Sequence, residues 1–356
     1  MIDYTASGLR HSWEFVLVDS RTLEELEQLD GVTGFELVES WRGDFRQTGT
    51  IELDGVELPH WAAVRAYLTT AQGAEIERTE LCTLMPQPTA TTTLYGRPVA
   101  SVPLRSMLAK LDGNLNAEDM GIGQGWSVPG HFSWCCSQSG AVPSVHPGIS
   151  AAAPLTASAR VWAAGESYLT EAHAMANACN GRIQPDSHGR VCLVPYQNPA
   201  NVAESFEIPS GAASVTLPGF VRKGAQIVNK VIASYSRDND KWFSVAEVEP
   251  SHPWSYGHIG RYETLEATPP EIPEGANVQQ ILDRLTAQTL KSYSDTRATY
   301  SVQLEYMPVR VGQVGTVFYQ DSPSMEPVQV LGFVSERSIK KDGAAVSMEL
   351  TVEAVA

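Results

Sequence analysis

At 356 residues the chain is too long for one simple core, and two or three domains are expected. Hydrophobic residues at 43% and charged residues at 19% exclude a disordered chain, and no apolar run approaches the ~20 residues of a membrane-crossing helix. The net charge is −16, and residues 1–60 hold thirteen acids against four bases, which argues against a protein that grips a phosphate backbone.

From Trp13 to about Val102 the pattern is mostly period two. Phe15-Val16-Leu17-Val18 reads as a buried strand, and Thr22-Leu23-Glu24-Glu25 fits a capping box that starts a short helix ending at Gly31. Phe35 and Leu37 alternate with Glu36. Ile51 and Leu53 alternate with Thr50, Glu52 and Asp54, and residues 64–68, 75–85 and 91–95 continue the series. Strands at this spacing predict a small barrel or sandwich.

The next region mixes helix and strand. Pro103 suits a first helical turn leading into Leu104, Met107, Leu108 and Leu111, with Gly113 ending the helix. Residues 121–154 are rich in Gly, Ser, Pro and aromatics without a clear period, and read as an ordered surface excursion that shelters Trp126, Phe132 and Trp134. Ser167 then caps a helix carrying Leu169, Ala172, Met175, Ala176 and Cys179, closed by Gly181. A hairpin follows, Arg182-Ile183-Gln184 and Val191 to Pro195, around the turn Pro185-Asp186-Ser187-His188-Gly189.

Strands return over 225–236 and 241–249, flanking the turn Arg237-Asp238-Asn239-Asp240. Asn277 caps a helix through Val278, Ile281, Leu282 and Leu285, inside a Pro-rich excursion spanning 250–295. Tyr300 to Tyr306 and Val346 to Val352 alternate as strands, the latter after the turn Lys341-Asp342-Gly343.

Chemistry-bearing motifs are sparse. His131, Cys135, Cys136 and His146 include zinc-type ligands, but adjacent cysteines rarely reach one tetrahedral ion and no CxxC pair is present. The same residues offer a Cys-His nucleophile pair without a supporting motif. The five cysteines, Cys82, Cys135, Cys136, Cys179 and Cys192, read as free buried thiols. Asp186-Ser187-His188 cannot form a relay within one tight turn, and Gly121-Ile122-Gly123-Gln124-Gly125 lacks the context of a dinucleotide loop. No catalytic, cofactor or metal residue is assigned. Met1-Ile2-Asp3-Tyr4 carries no signal-peptide pattern, so synthesis in a cytoplasm is expected.

Three segments resemble the baseplate hub, or tail-associated, proteins of long-tailed phages. "GESYLTEAHAMANACNGRIQPDSHGRVCLVPYQNP" (Gly165 to Pro199) is similar to that family's helix, hairpin and Pro-Tyr exit. "IVNKVIASY … HPWS" (Ile227 to Ser255) is similar to a family strand, with Val228 where a proline would stand. "PVRVGQVGTV" (Pro308 to Val317) is similar to a loop introducing a late barrel strand, with Gln313 replacing an acidic residue.

The resemblance implies a β-rich α+β fold: two tail-tube-like β-barrel domains, 1–103 and 216–249 with 296–356, plus a mixed α/β domain, 104–215 with 250–295. It also implies a homotrimer that caps the tail tube at the virion's tail tip, around a passage for DNA. The implied partners are a distal tail protein, the tape-measure protein and a central fibre or spike. Because the last barrel strand lies near Ala356, that fibre or spike is expected to be a separate chain. Glu52 and Asp54 are the candidate channel-lining residues, whereas Glu24, Glu25 and Glu27 fit ordinary solvated surface equally well. Two other functions stay open. One is a tail-borne cell-wall hydrolase or peptidase using His131, Cys135, Cys136 and His146. The other is a peripheral receptor-binding adaptor using Trp126 and Trp134.

Overall fold

Alternating apolar residues fold the first hundred positions into eight strands: β1 (Arg10–Asp19), β2 (Glu25–Gln28), β3 (Val32–Ser40), β4 (Gln47–Asp54), β5 (Ala62–Gln72), β6 (Glu75–Pro86), β7 (Thr92–Leu94) and β8 (Arg97–Arg105). The computed structural model describes residues 2–6, 8–43, 45–88, 92–94, 97–122, 127–150, 160–209, 228–237, 240–252, 255–269, 277–294, 299–319, 328–343 and 345–355. The ladders run in the order β3-β4-β8-β6-β5-β1-β2, with β7 on β8. Phe15, Leu17, Phe35, Leu37, Ile51, Leu53, Leu68 and Leu84 bury one face as a single core.

Two local expectations fail here, for the same reason. The segment after Thr22 is a strand, not a helix: Gln28, Glu27 and Glu25 pair with Val16, Leu17 and Val18. Leu23 takes a φ of 63° so that the chain folds back, and its side chain is buried among the residues of a second core. Pro103 lies in β8 opposite Thr50, and helix α1 (Leu108–Gly113) starts only at Leu108. Pairing along a sheet edge and burial of Leu23 and Leu104 outweigh local helix signals.

After β9 (Met120–Ile122), the described part of the unperiodic stretch holds helix α2 (Val128–Gln138) and strand β10 (Pro143–Val145), and β11 (Arg160–Trp162) follows beyond it. Trp126 lies outside the described residues. Helix α3 (Tyr168–Ala178) begins as expected, its Ser167 cap accepting the Thr170 N–H at 3.2 Å. Asn180, at φ 51°, makes the left-handed exit, so Gly181 instead opens β12 (Gly181–Pro185), which pairs with β13 (Val191–Pro195). The elements α1, α2, α3 and the hairpin share a second core built on Leu108, Leu111, Phe132, Trp162, Leu169, Met175, Ile183 and Leu193.

The hairpin turn is docked on the first sheet by one buried guanidinium. Arg65 Nε donates to Thr83 Oγ1 (2.9 Å), and Nη2 donates to the carbonyls of Leu23 (3.1 Å) and His188 (3.0 Å). Its Nη1 pairs with Glu25 at 3.1 Å, and Thr83 Oγ1 donates to the Ser187 carbonyl at 2.8 Å. Gly189 sits at φ +92°, and a Cβ there would stand 3.0 Å from Thr83 Cβ. Gly189→Ala is therefore expected to destabilise the protein by about 1–3 kcal/mol through strain and a displaced turn. Urea unfolding measures it, and an unchanged midpoint would contradict the docking.

Strand β14 (Glu204–Ile208) completes this stretch. Residues 221–299 form a second compact unit, separate from Met1–Phe220 with Tyr300–Val355. It contains β15 (Lys230–Arg237), β16 (Asp240–Glu247), a short helix α4 (Tyr256–Ile259), β17 (Thr264–Glu266) and helix α5 (Val278–Ser294). The three strands form their own sheet in the order β16-β15-β17. Helix α5 starts where Asn277 Oδ1 accepts the Gln280 N–H (3.2 Å), and its Val278 and Leu282 join Val231 and Ala233 in a third core.

This differs from the domain map read from the sequence. Among the described residues, β15 and β16 share no sheet with the final strands, and 250–295 does not join 104–215. Helix α5 supplies the apolar surface that β15 and β16 need on one side, so these segments form one unit.

The last strands, β18 (Thr299–Leu304), β19 (Val314–Tyr319), β20 (Val328–Asp342) and β21 (Ala345–Ala354), return to the first unit. Strand β20 pairs with β19 and β21, and also with β3, from Glu336↔Ser40 to Asp342↔Gly34. One thirteen-stranded, largely antiparallel sheet thus joins strands from both regions expected to form barrels. At its seam, the buried partners Arg337 and Glu39 form an ion pair. Arg337 Nη1 also donates to the Val309 carbonyl (2.8 Å), and Gln47 Nε2 donates to Glu39 Oε1 (2.8 Å).

Candidate functional site

Strand parity decides where the candidate lining residues point. Ile51 and Leu53 are buried in the main core, so Glu52 and Asp54, one residue out of phase, project from the opposite, solvent-facing side of β4. Across the ladder Asp54 stands opposite Val99. Glu52 stands opposite Gly34 and Ser101, and Thr50 opposite Glu36. Glu36 pairs with Lys340 at 2.9 Å on β20, and farther along the same face Ser301 donates to Glu349 at 2.5 Å. The result is a polar sheet face carrying Glu36, Glu52, Asp54 and Glu349 together with the bases Lys340, which pairs with Glu36, and Arg105, opposite Thr48. Glu25 instead lies on β2 and is tied to Arg65 and Tyr67. The Tyr67 hydroxyl bond, with the guanidinium beside it, holds that carboxyl below its usual range.

The cysteine and histidine candidates are separated by the fold. His131, Cys135 and Cys136 lie on α2 with their side chains buried, whereas His146 follows β10, its Nδ1 accepting the Gly148 N–H at 2.9 Å. His131 Nε2 lies 2.9 Å from Glu171 Oε1 and 3.9 Å from Cys135 Sγ. In a nucleophile–base–acid relay the acid orients the imidazole through its other nitrogen. Here acid and thiol meet the same nitrogen, inside a core sealed from substrate. Burial pushes the Cys136 thiol well above its usual range and the Cys192 thiol to about 11, which holds both as unreactive thiols. The His131–Glu171 pair fastens α2 to α3.

Trp134, a candidate surface aromatic, stacks on His131 (centroids 5.4 Å apart) and packs against Trp162 and Tyr168. The turn reading of Asp186 to Gly189 agrees with the structure: Asp186 Oδ1 accepts the Arg190 N–H (2.8 Å) and Oδ2 pairs with Arg190 Nε (2.6 Å). Before β19, Gly312 at φ +97° leaves room for Trp41, whose ring a Cβ there would meet at 2.8 Å. Gln313 Oε1 accepts the Arg310 N–H at 2.6 Å, so the amide closes this turn with an oxygen acceptor, as a carboxylate could. Sequence reasoning missed Arg65, Arg337 and Glu39, because a charged residue inside an apolar strand gives no hint of its distant partner.

No protein-family model and no curated protein matches the sequence. Solved structures do match the fold. The tail protein from Neisseria meningitidis MC58 is similar with a TM-score of 0.63 at 9% identity, over 96% of each chain. The 43 kDa tail protein of prophage MuSo2 from Shewanella oneidensis gives 0.60 at 12% identity, over 95% of this chain and 98% of that one. This chain has the fold of phage tail proteins. A chain of the Francisella PdpA–VgrG complex is also similar, with a TM-score of 0.60 at 8% identity over 99% of this chain and 59% of the other. The tail-protein fold therefore extends well beyond the three segments whose sequence resembles tail hub proteins.

Proposed function

We propose that this protein is a structural hub at the tip of a phage tail, with three copies capping the tail tube around the path of the DNA. The end-to-end likeness to two phage tail proteins carries the reading. In the proposed assembly the two halves of the long sheet, β1 to β8 and β18 to β21 with β14, curl into two tube-like barrels per chain. Three copies then present six barrels to a sixfold tube. A distal tail protein, the tape-measure protein and a separate central fibre or spike are the proposed partners, and assembly takes place in the host cytoplasm.

The polar sheet face supports a passage role. A protein that neutralises roughly 6–10 phosphates binds DNA tightly enough that salt changes its affinity by about 10³–10⁵-fold. A wall on which carboxylates outnumber bases makes few such contacts, and net repulsion keeps the duplex centred. In this reading Glu52 and Asp54 face the axis. A reconstruction of the intact particle tests both parts. Three copies on the tail axis, with more Asp and Glu than Lys and Arg nearest it, are expected. One or six copies there, or a ring of arginines or lysines at the narrowest point, would overturn the reading.

A further inference from the structure

The second unit presents an edge strand with the wrong surface for water. Among the described residues β16 has a neighbour on one side only, β15. The Val248 N–H donates to the Asn229 carbonyl across that pair, so the even-numbered residues of β16 direct their backbone groups at β15. Lys241, Phe243, Val245 and Glu247 therefore aim their N–H and C=O groups outward. The same residues carry exposed side chains, Phe243 at 64% and Val245 at 55%. The strand has no proline and no bulge, two of the usual protections of an edge, and its charges sit only at its ends. One side chain caps it: Gln279 Nε2 donates to the Phe243 carbonyl at 2.9 Å.

We infer that β16 pairs with β16 of a second copy of this chain, antiparallel about a twofold axis at Ser244. Ladder parity requires outward-aimed residues to face one another, which leaves few registers. The register centred on Ser244 sets Phe243 opposite the second copy's Val245 and Lys241 opposite its Glu247. It overlaps residues 241–247, sets the two exposed apolar side chains side by side and places each Lys241 beside a Glu247 whose carboxylate also holds Lys230 at 2.7 Å. The neighbouring register centred on Phe243 sets Lys241 against Val245 and leaves the ends unmatched. In the pair, the N–H of the second copy's Val245 replaces Gln279 on the Phe243 carbonyl. The contact uses each edge once, so it is a property of the isolated chain and stands apart from the threefold arrangement proposed above.

Sedimentation velocity of the full chain over a micromolar concentration series tests this, with Lys241→Glu, Glu247→Lys and their equimolar mixture. The wild-type chain should show a concentration-dependent dimer. Each variant should weaken it by roughly tenfold or more, because two symmetry-related pairs become like-charged together. The mixture should restore it, since both pairs are then again opposite in charge. Hydrogen exchange gives the local readout: the Val245 amide should be protected at high concentration and exposed on dilution, in chains whose circular dichroism is unchanged. A wild-type chain that stays monomeric, variants that associate like the wild type, or a mixture no tighter than its components would each overturn the inference.

Discussion

Replacing Arg337 by Met should lower the unfolding free energy by about 3–5 kcal/mol, the cost of leaving a buried carboxylate without its counter-ion. Glu39 lies directly across the ladder, and both side chains are buried at the seam where β20 meets β3. Gln47 keeps one carboxylate oxygen bonded but carries no charge, so it cannot replace the guanidinium. The Val309 carbonyl loses its donor as well. Converting the partner too, as Arg337→Met with Glu39→Leu, should recover most of the loss, because the two desolvation penalties disappear together. Urea unfolding at neutral pH reads both. A single-variant loss below about 1 kcal/mol would contradict an ion pair at the seam.

Arg65→Met should cost about 4 kcal/mol, since the carbonyls of Leu23 and His188 then lack a buried donor at roughly 1–3 kcal/mol each and Thr83 loses a partner. Its ion pair with Glu25 contributes less, because Glu25 is partly exposed. Arg65→Lys should recover little: one ammonium cannot span acceptors set by a planar fork. The local signature is faster hydrogen exchange across β12 and β13, whose turn would lose its anchor on the first sheet. Unchanged exchange there would show that the second core, and not the arginine, holds the hairpin.

What could be read from the residues was what is decided locally. The Ser167 cap and the hairpin after it, the β15–β16 pair and the Asn277 cap all fall within a few residues of their cause. Helix α2 was equally local and still missed. Ser127 accepts the Gly130 N–H at 3.2 Å, Pro129 sits in the first turn, and Val128, Phe132, Cys135 and Cys136 recur at helical spacing. The surrounding Gly, Ser and Trp residues obscured that period. Strand β20 was hidden by its own irregularity, a bulge between Val334 and Glu336 that breaks the alternation. Strand β2 pairs with the neighbouring β1 and was masked by the capping signal at Thr22, whereas the true home of 250–295 depends on pairing with β15 and packing of α5, which no short window contains. The outward aim of Glu52 and Asp54 was legible from parity alone.

The joining of β3 to β20 also sets a timetable for synthesis. About 300 residues separate Glu39 from Arg337, and at ~5–20 residues per second a ribosome needs on the order of 15–60 s to supply the second after the first. Throughout that interval β3 can pair with β4 while its other flank waits open, a template for any passing strand. Glu39 points inward from that flank, in line with Phe35 and Leu37. A premature or foreign strand would have to bury that carboxylate without a guanidinium opposite it. The residue that costs most when its partner is deleted is thus also a gatekeeper, turning away the wrong strand until the arginine-bearing one emerges.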